Sequence, residues 1–229
     1  MESIWEYRYL LLDGTVVTVQ LAVGSLILSV VLGLAGASAK LARNPISNRF
    51  ASAYTTLVRG VPDLVLMMLL FYGGQQIVND LGTVTGWWDY LEINQFIAGI
   101  GSIGFVFGAY MTETFRGAIL AIPRGQIEAG ISCGMTNLTI FLRITWPQMV
   151  RHALPSFTNN WLVLIKATAL VSVIGLHDVV WNASTAGRSV REPFTFMFAV
   201  LLIYLALTAI SDIGLRWLDR RYSAGVRSA

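Results

Sequence analysis

The segment that decides the fold of this chain is polar and separates two long apolar stretches: residues 123–147 read PRGQIEAGISCGMTNLTIFLRITWP. Pro123 favours the start of a helix, where its missing N–H costs nothing. Gly134 permits a turn with positive φ between two short helices. Apolar residues at helical spacing after Gly134 predict an amphipathic second helix. Because the position before a proline disfavours helical geometry, we expect Pro147 to end that helix at about Thr145.

The composition indicates that the stretches around this segment lie in a lipid bilayer. Of the 229 residues, 55% are hydrophobic and 13% are charged, whereas soluble domains carry about 25% charged residues. The net charge of +3 is typical of a membrane protein with basic cytoplasmic loops, and it does not point to nucleic acid. The single cysteine, Cys133, leaves no internal disulfide and no cysteine-based metal cluster.

Five apolar stretches are long enough to cross a bilayer, which takes about 20 helical residues. We predict spans at about residues 15–39, 51–78, 93–119, 153–176 and 193–211, all within one integral membrane domain covering residues 1–229. The start of the chain is acidic and aromatic, unlike a signal peptide, so we expect no cleavable leader. The predicted fold class is therefore all-α integral membrane, with residues 123–147 forming the loop between spans 3 and 4.

Lys and Arg are distributed unevenly around these spans. Twelve of the 16 Lys and Arg residues flank the connection between spans 1 and 2, the connection between spans 3 and 4, or the C-terminal tail. Arg8, Arg188 and Arg191 lie on the opposite side, and Lys166 falls within span 4. Because cytoplasmic loops carry the excess of Lys and Arg, we predict an outer N-terminus and an inner C-terminus. Residues 123–147 then face the cytoplasm.

The spacing in residues 123–147 resembles the cytoplasmic loop of permease subunits in binding-protein-dependent ABC importers. That family's pattern is Glu-Ala-Ala, three residues, Gly, nine residues, Ile, any residue, Leu, Pro. Here Gly130 replaces the second Ala, which weakens the first helix by about 1 kcal/mol, and Trp146 replaces the Leu. In the family this loop fits a groove on a partner ATPase and passes its motion to the spans. The resemblance implies that role for Glu128, Ala129, Gly130, Gly134, Ile144 and Pro147. An interfacial helix pair without a partner is the alternative.

Other stretches resemble the polar amino acid branch of these permeases, in particular the histidine/lysine/arginine/ornithine and opine importers. They are residues 54–64, 110–117, 159–161 and 166–172. The resemblance implies a type I importer fold in a bacterial inner membrane, and a polar, basic amino acid or an opine as the substrate. It also implies a heterodimer with a second homologous permease, two ABC ATPase subunits that bind ATP and Mg, and a periplasmic solute-binding protein. Many members carry Asp where this chain has Ala167, so a role for that Asp is not carried over.

Two acidic residues, Asp63 and Glu113, are predicted to lie inside spans, where a charge costs a few kcal/mol unless it is paired or hydrated. In one interpretation these carboxylates and Asn160 face a translocation path and meet a cationic group of the substrate. In the other, the carboxylates pair with Arg59, Arg116 or Lys166 or lie near the cytoplasmic interface, and Asn160 forms a hydrogen bond between helices. The sequence leaves both interpretations open.

We find no pattern of residues that predicts an enzyme. A Ser/His/Asp set, a Walker loop and a Gly-rich dinucleotide turn are all missing from the sequence, so we predict no catalytic residues and no ATP hydrolysis by this chain. His152 and His177 have no metal-ligating residues at suitable spacing, so we predict no metal and no cofactor. The function predicted is a transport subunit. A stand-alone secondary transporter or channel, or a membrane-bound enzyme, are the alternatives.

Overall fold

The structure, a computed structural model, describes residues 2–223, and most of that range is helical. Over these residues there are eleven α-helices, two π-helical turns, one 3₁₀ segment and no β-strand. In chain order the elements are α1 (Glu2–Glu6), α2 (Arg8–Leu41), α3 (Pro45–Gly60), α4 (Asp63–Met68), a π turn (Leu69–Gly73), α5 (Gly74–Thr85), α6 (Gln95–Leu120), α7 (Arg124–Ser132), α8 (Asn137–Ile140), a π turn (Phe141–Thr145), α9 (Trp146–Ala167), a 3₁₀ segment (Thr168–Ile174), α10 (Val179–Ser189) and α11 (Pro193–Ser223). The predicted all-α fold is confirmed.

Five helical segments of the described chain are long and apolar enough to cross a membrane. They are Arg8–Leu41, Asp63–Thr85, Gln95–Leu120, Asn137–Ile174 and Pro193–Tyr222. Their order matches that of the predicted spans, although the first begins earlier than residue 15. Consecutive spans run in opposite directions, so residues 42–44, residues 121–136 and the C-terminal part of α11 lie at one end of the bundle. We call this end the loop end.

Span 2 is wrong as predicted at residues 51–78, because the chain breaks there into two helices. α3 ends at Gly60, Val61 and Pro62 are extended, and α4 restarts at Asp63. Pro62 disfavours helical geometry at the residue before it, and Pro62 is well placed just ahead of a new helix. The membrane-long part is Asp63–Thr85. Asp63 therefore opens this span and does not lie within a continuous helix.

The hairpin predicted for residues 123–147 forms, but its second arm does not stop at Thr145. Gly134 makes the turn with φ of +78°, between the end of α7 and the start of α8. After α8 the π turn leads without interruption into α9, so Pro147 begins a helix instead of ending one. The wider hydrogen-bonding of a π turn, and the free N–H positions of a first helical turn, accommodate this proline. The second arm is therefore continuous with span 4, which starts well before the predicted residue 153.

One further boundary differs from the prediction near the C-terminus. Helix α11 continues to Ser223, well past residue 211, and Arg220 and Arg221 in its last turns are exposed. The connection between spans 4 and 5 contains α10. Arg227, which contributed to the predicted orientation, lies outside the described residues.

The closest contact in the bundle joins α2 and α6, which small residues bring together. A Cβ added at Gly33 would lie 2.4 Å from Met111 Cβ, and one added at Gly36 would lie 2.3 Å from Thr112 Oγ1. Met111 and Thr112 are completely buried. Glycines at such positions let membrane helices approach closely. The contact holds the loop end of α2 directly against α6.

Asp178 caps the helix α10 at the end of the bundle opposite the loop end. Its Oδ1 accepts a hydrogen bond from Trp181 N at 2.8 Å, which is the standard N-cap interaction. The residue is fully buried, and within residues 2–223 its Oδ2 atom has no hydrogen-bond partner. Burial disfavours the charged carboxylate and raises the pKa of Asp178 to about 6. The ionised form of this cap is therefore destabilised in the folded protein.

We predict that Asp178→Asn is more stable than the wild type at pH 7. A carboxyl whose pKa rises on folding binds its proton more tightly in the folded state, so stability falls as the pH rises from about 4 to about 6. Asparagine keeps the cap without the charge, and the gain at pH 7 is up to about 3 kcal/mol. Denaturation of the purified protein across this pH range measures it. Asp80→Asn, at an exposed carboxylate, is the control. A variant that keeps the wild-type pH dependence contradicts this role of Asp178.

Candidate functional site

A network of charges joins three helices at the loop end and is centred on Glu113 of α6. Arg116 donates from Nε to Glu113 Oε2 at 3.0 Å, and the Lys40 ammonium at the end of α2 donates to Glu113 Oε1. Lys40 also donates to Thr55 Oγ1 of α3 at 2.6 Å. The Lys40 side chain is only 11% exposed and that of Glu113 is 21% exposed. These partners supply the compensation that a carboxylate in an apolar bundle requires.

Two polar cavities adjoin this network and share one wall. The first has a volume of about 490 Å³ and the second about 460 Å³. Arg59, Tyr110 and Glu113 line both. The first is completed by Thr114, Pro155, Ser156, Asn159 and Asn160, and the second by Lys40, Thr55, Thr56 and Gly60. Both volumes lie in the range of about 300–1,000 Å³ that is typical of small-molecule sites.

The structure brings together two of the three residues predicted for a substrate path. Glu113 lines both cavities, and Asn160 lines the first. Asn160 also donates a hydrogen bond to Thr114 Oγ1 at 3.0 Å, which joins α9 to α6. Asp63 lines neither cavity, and within residues 2–223 it forms no ion pair.

The cations predicted to pair with Glu113 were correct for one residue and wrong for another. Arg116 was among the expected partners and is one, but Lys40 was not considered. Lys166, an expected partner, is exposed and forms no ion pair with the described residues. Arg59 and Tyr110 were also missed as cavity residues. The polar residues around Arg59, ahead of Pro62, are the one signal that marks this position in the sequence.

The hairpin formed by α7 and α8 projects from the bundle at the loop end. Gly130 is buried against Ile140 and Ile144, and a Cβ at Gly130 would lie 3.1 Å from atoms of both side chains. The glycine that departs from the family pattern therefore lets the two arms pack closely. Glu128, Ala129, Gly134 and Pro147 are exposed. Cys133 is exposed as well.

Large apolar side chains are also exposed on this hairpin. Ile131 is 58% exposed and Leu138 is 67% exposed. Phe141, Leu142 and Trp146 continue this apolar surface toward span 4. No group of three His, Cys, Asp or Glu side chains within residues 2–223 is arranged to hold a metal ion. The hairpin thus offers an apolar surface with one acidic side chain, Glu128, and no metal site in the part of the chain described.

These features define a multi-pass α-helical membrane protein with two open polar cavities and a protruding hairpin. The chain belongs to the family of binding-protein-dependent transport system inner membrane components, whose pattern matches residues 26–224. The predicted family is thereby confirmed, and so is its role as a transport subunit of the membrane. Dependence on a binding protein also separates this family from stand-alone transporters.

Relatives and solved structures agree with that assignment. The chain is 48% identical over 226 residues to the histidine/lysine/arginine/ornithine transport system permease protein HisQ of Salmonella typhimurium, covering 99% of both chains. It is 36% identical to the octopine transport system permease protein OccQ of Rhizobium meliloti, covering 95% of this chain and 92% of that one. A crystal structure of an amino acid ABC transporter with histidines superimposes with a TM-score of 0.81 at 28% identity, over 96% of this chain and 97% of that chain.

We predict that Glu113→Gln destabilises the folded protein by about 3 kcal/mol, because it leaves the buried Lys40 ammonium without its counter-charge. Lys40→Met, which removes the cation from the same pair, should also destabilise, and the double variant should recover part of the loss. Chemical denaturation in detergent measures all three. Asp212→Asn breaks an ion pair on the surface of α11 and should change little. Equal effects of Glu113→Gln and Asp212→Asn would contradict a structural role for the network.

Proposed function

We propose that this chain is the permease subunit of an ATP-driven ABC importer that moves basic amino acids or opines from periplasm to cytoplasm. The observation that carries the proposal is an open polar cavity between apolar helices, in a chain that is similar over 99% of its length to a permease for histidine, lysine, arginine and ornithine. The octopine permease supports the opine alternative. Asp63, Glu113 and Asn160 are proposed to line or adjoin the substrate path. The single-domain organisation over residues 1–229 stays a prediction.

A second homologous permease subunit is proposed to complete the path, as a heterodimer. Both cavities are open at the side of this chain, so charged groups such as Arg59 and Glu113 would face lipid if the chain stood alone. Such exposure costs several kcal/mol per charge. The segment Asp63–Thr85 also buries very few of its side chains in this chain. A partner packed there would close the cavities and cover the segment.

The loop end is proposed to face the cytoplasm of a bacterial inner membrane, with the N-terminus in the periplasm. Lys40, Arg43, Arg124 and Arg143 lie at this end, in agreement with the rule that cytoplasmic loops are rich in Lys and Arg. A solute-binding protein would then approach from the opposite end, near α10. No nucleic acid is required by any part of this proposal.

The hairpin is proposed to dock on a partner ATPase, two copies of which bind ATP and Mg for the assembly. Its exposed apolar side chains, Ile131 and Leu138, and its acidic Glu128 form a surface that suits a groove on another protein. Because the second arm continues into span 4 through the π turn, a displacement of the hairpin moves the helix that carries Asn160. The coupling residues are Glu128, Ala129, Gly130, Gly134, Ile144 and Pro147.

Uptake of labelled arginine by proteoliposomes that contain the whole assembly tests this function. We expect ATP-dependent uptake that histidine and ornithine inhibit and glutamate does not.

Gly134→Val should lower uptake at least tenfold and uncouple it from ATP hydrolysis, because a β-branched residue is strained at φ of +78°. Gly214→Val, at a helical glycine with open space around it, is the control. Wild-type uptake that only neutral or acidic solutes inhibit overturns the basic substrate, and full coupling in Gly134→Val overturns the role of the hairpin.

A further inference from the structure

Arg59 is a cation without an acidic partner in the wall shared by the two cavities. Among residues 2–223 no carboxylate lies within ion-pair distance of it. Its guanidinium lies 5.5 Å from the centre of the Tyr110 ring, a contact that attracts a cation but does not neutralise it. Its position in the last turn of α3 is also favourable for a positive charge. Both attractions hold the side chain in the cavity and leave its hydrogen-bond donors free.

Of the two acidic residues near Arg59, Glu113 is paired with other cations and Asp63 lies beyond a break in the helix. Glu113 faces the same cavities but is already bound by Lys40 and Arg116. That cluster carries one net positive charge, so it does not attract the guanidinium. Asp63 follows Arg59 by four residues, but the break at Val61 and Pro62 removes the helical geometry that would bring the two together. The cavity wall at Arg59 therefore favours an anion that comes from outside this chain.

The anion that every substrate of the proposed class carries is the α-carboxylate. A planar guanidinium with parallel N–H donors matches a carboxylate in two hydrogen bonds, which a lysine does not. The α-carboxylate of such a substrate is therefore the group that matches the free donors of Arg59.

We propose that Arg59 binds the α-carboxylate of the transported amino acid within the membrane cavity. The residue then recognises what all the substrates share, and other parts of the cavity select the side chain. This inference rests on the proposed function, because it requires an amino acid in the cavity. It assigns to Arg59 a binding role that is separate from the structural role of Lys40 and Arg116.

Equilibrium binding of labelled arginine to the purified permease–ATPase complex tests this role. The solute-binding protein is left out, since it selects amino acids independently. Agmatine, which is arginine without its carboxylate, is the matched competitor. The wild type should bind arginine at least about tenfold more tightly than agmatine, as the loss of a charge-assisted pair predicts. Arg59→Gln should bind arginine at least about tenfold more weakly and lose this preference, while Arg59→Lys should retain part of it.

The controls separate this role from assembly and from the proposed function. Arg188→Gln changes an arginine that bonds only to Ser184 in the described chain, and it should bind arginine as the wild type does. If the Arg59→Gln variant assembles and still prefers arginine to agmatine, the proposal is overturned. The proposal is also overturned if this variant no longer pairs with the second permease, because Arg59 would then serve the contact between subunits. Absence of arginine uptake by the wild-type assembly refutes the proposed function itself, which the uptake assay reports separately.

Discussion

The loop end of this bundle depends on a carboxylate that lies among apolar helices and must keep its counter-charges. Glu113 receives Lys40 from α2 and Arg116 from its own helix, and Lys40 in turn binds Thr55 of α3. Removing one partner from such a group costs several kcal/mol, so the three helices are held in one arrangement. The close α2–α6 contact through Gly33 makes the geometry possible. The same network occupies Glu113, so among the described residues that line the cavities Arg59 is a charge without an ion-pair partner.

The cavity and the hairpin are connected through a single long helix. From α8 the chain runs through the π turn into α9, where Asn160 reaches Thr114 beside Glu113. In the proposed coupling, a displacement of the hairpin moves the wall of the cavity that contains Asn160. The opposite wall is held by Lys40 of α2, which forms an ion pair with Glu113 of α6 and a hydrogen bond with Thr55 of α3. This contrast between a movable and a fixed wall is the physical basis of the proposed transport role.

The sequence predicted the order of the spans and the hairpin turn, but not the span boundaries, because hydrophobic length and a glycine at positive φ are local properties. Contacts between side chains of different helices were harder to predict from the sequence. Counting Lys40 as a loop charge gives the side of the membrane on which its helix ends, but not the direction in which a long side chain extends from it. Two prolines show the same limit: Pro62 separates two helices, while Pro147 begins one after a π turn. The difference lies in the preceding backbone, which residue type alone does not specify. Asp178 was missed because its cap and its burial depend on the packing of α10.

The central claim is that the hairpin lies in the cytoplasm, where an ATPase binds it. Labelling of Cys133 measures directly on which side of the membrane the hairpin lies. It is the single cysteine of the chain and is exposed at the end of α7. A membrane-impermeant maleimide should label Cys133 in inside-out vesicles stripped of ATPase, and bound ATPase should protect it. Sealed right-side-out vesicles should remain unlabelled. Labelling from the outer face would contradict the account, because no cytoplasmic ATPase could then reach the hairpin.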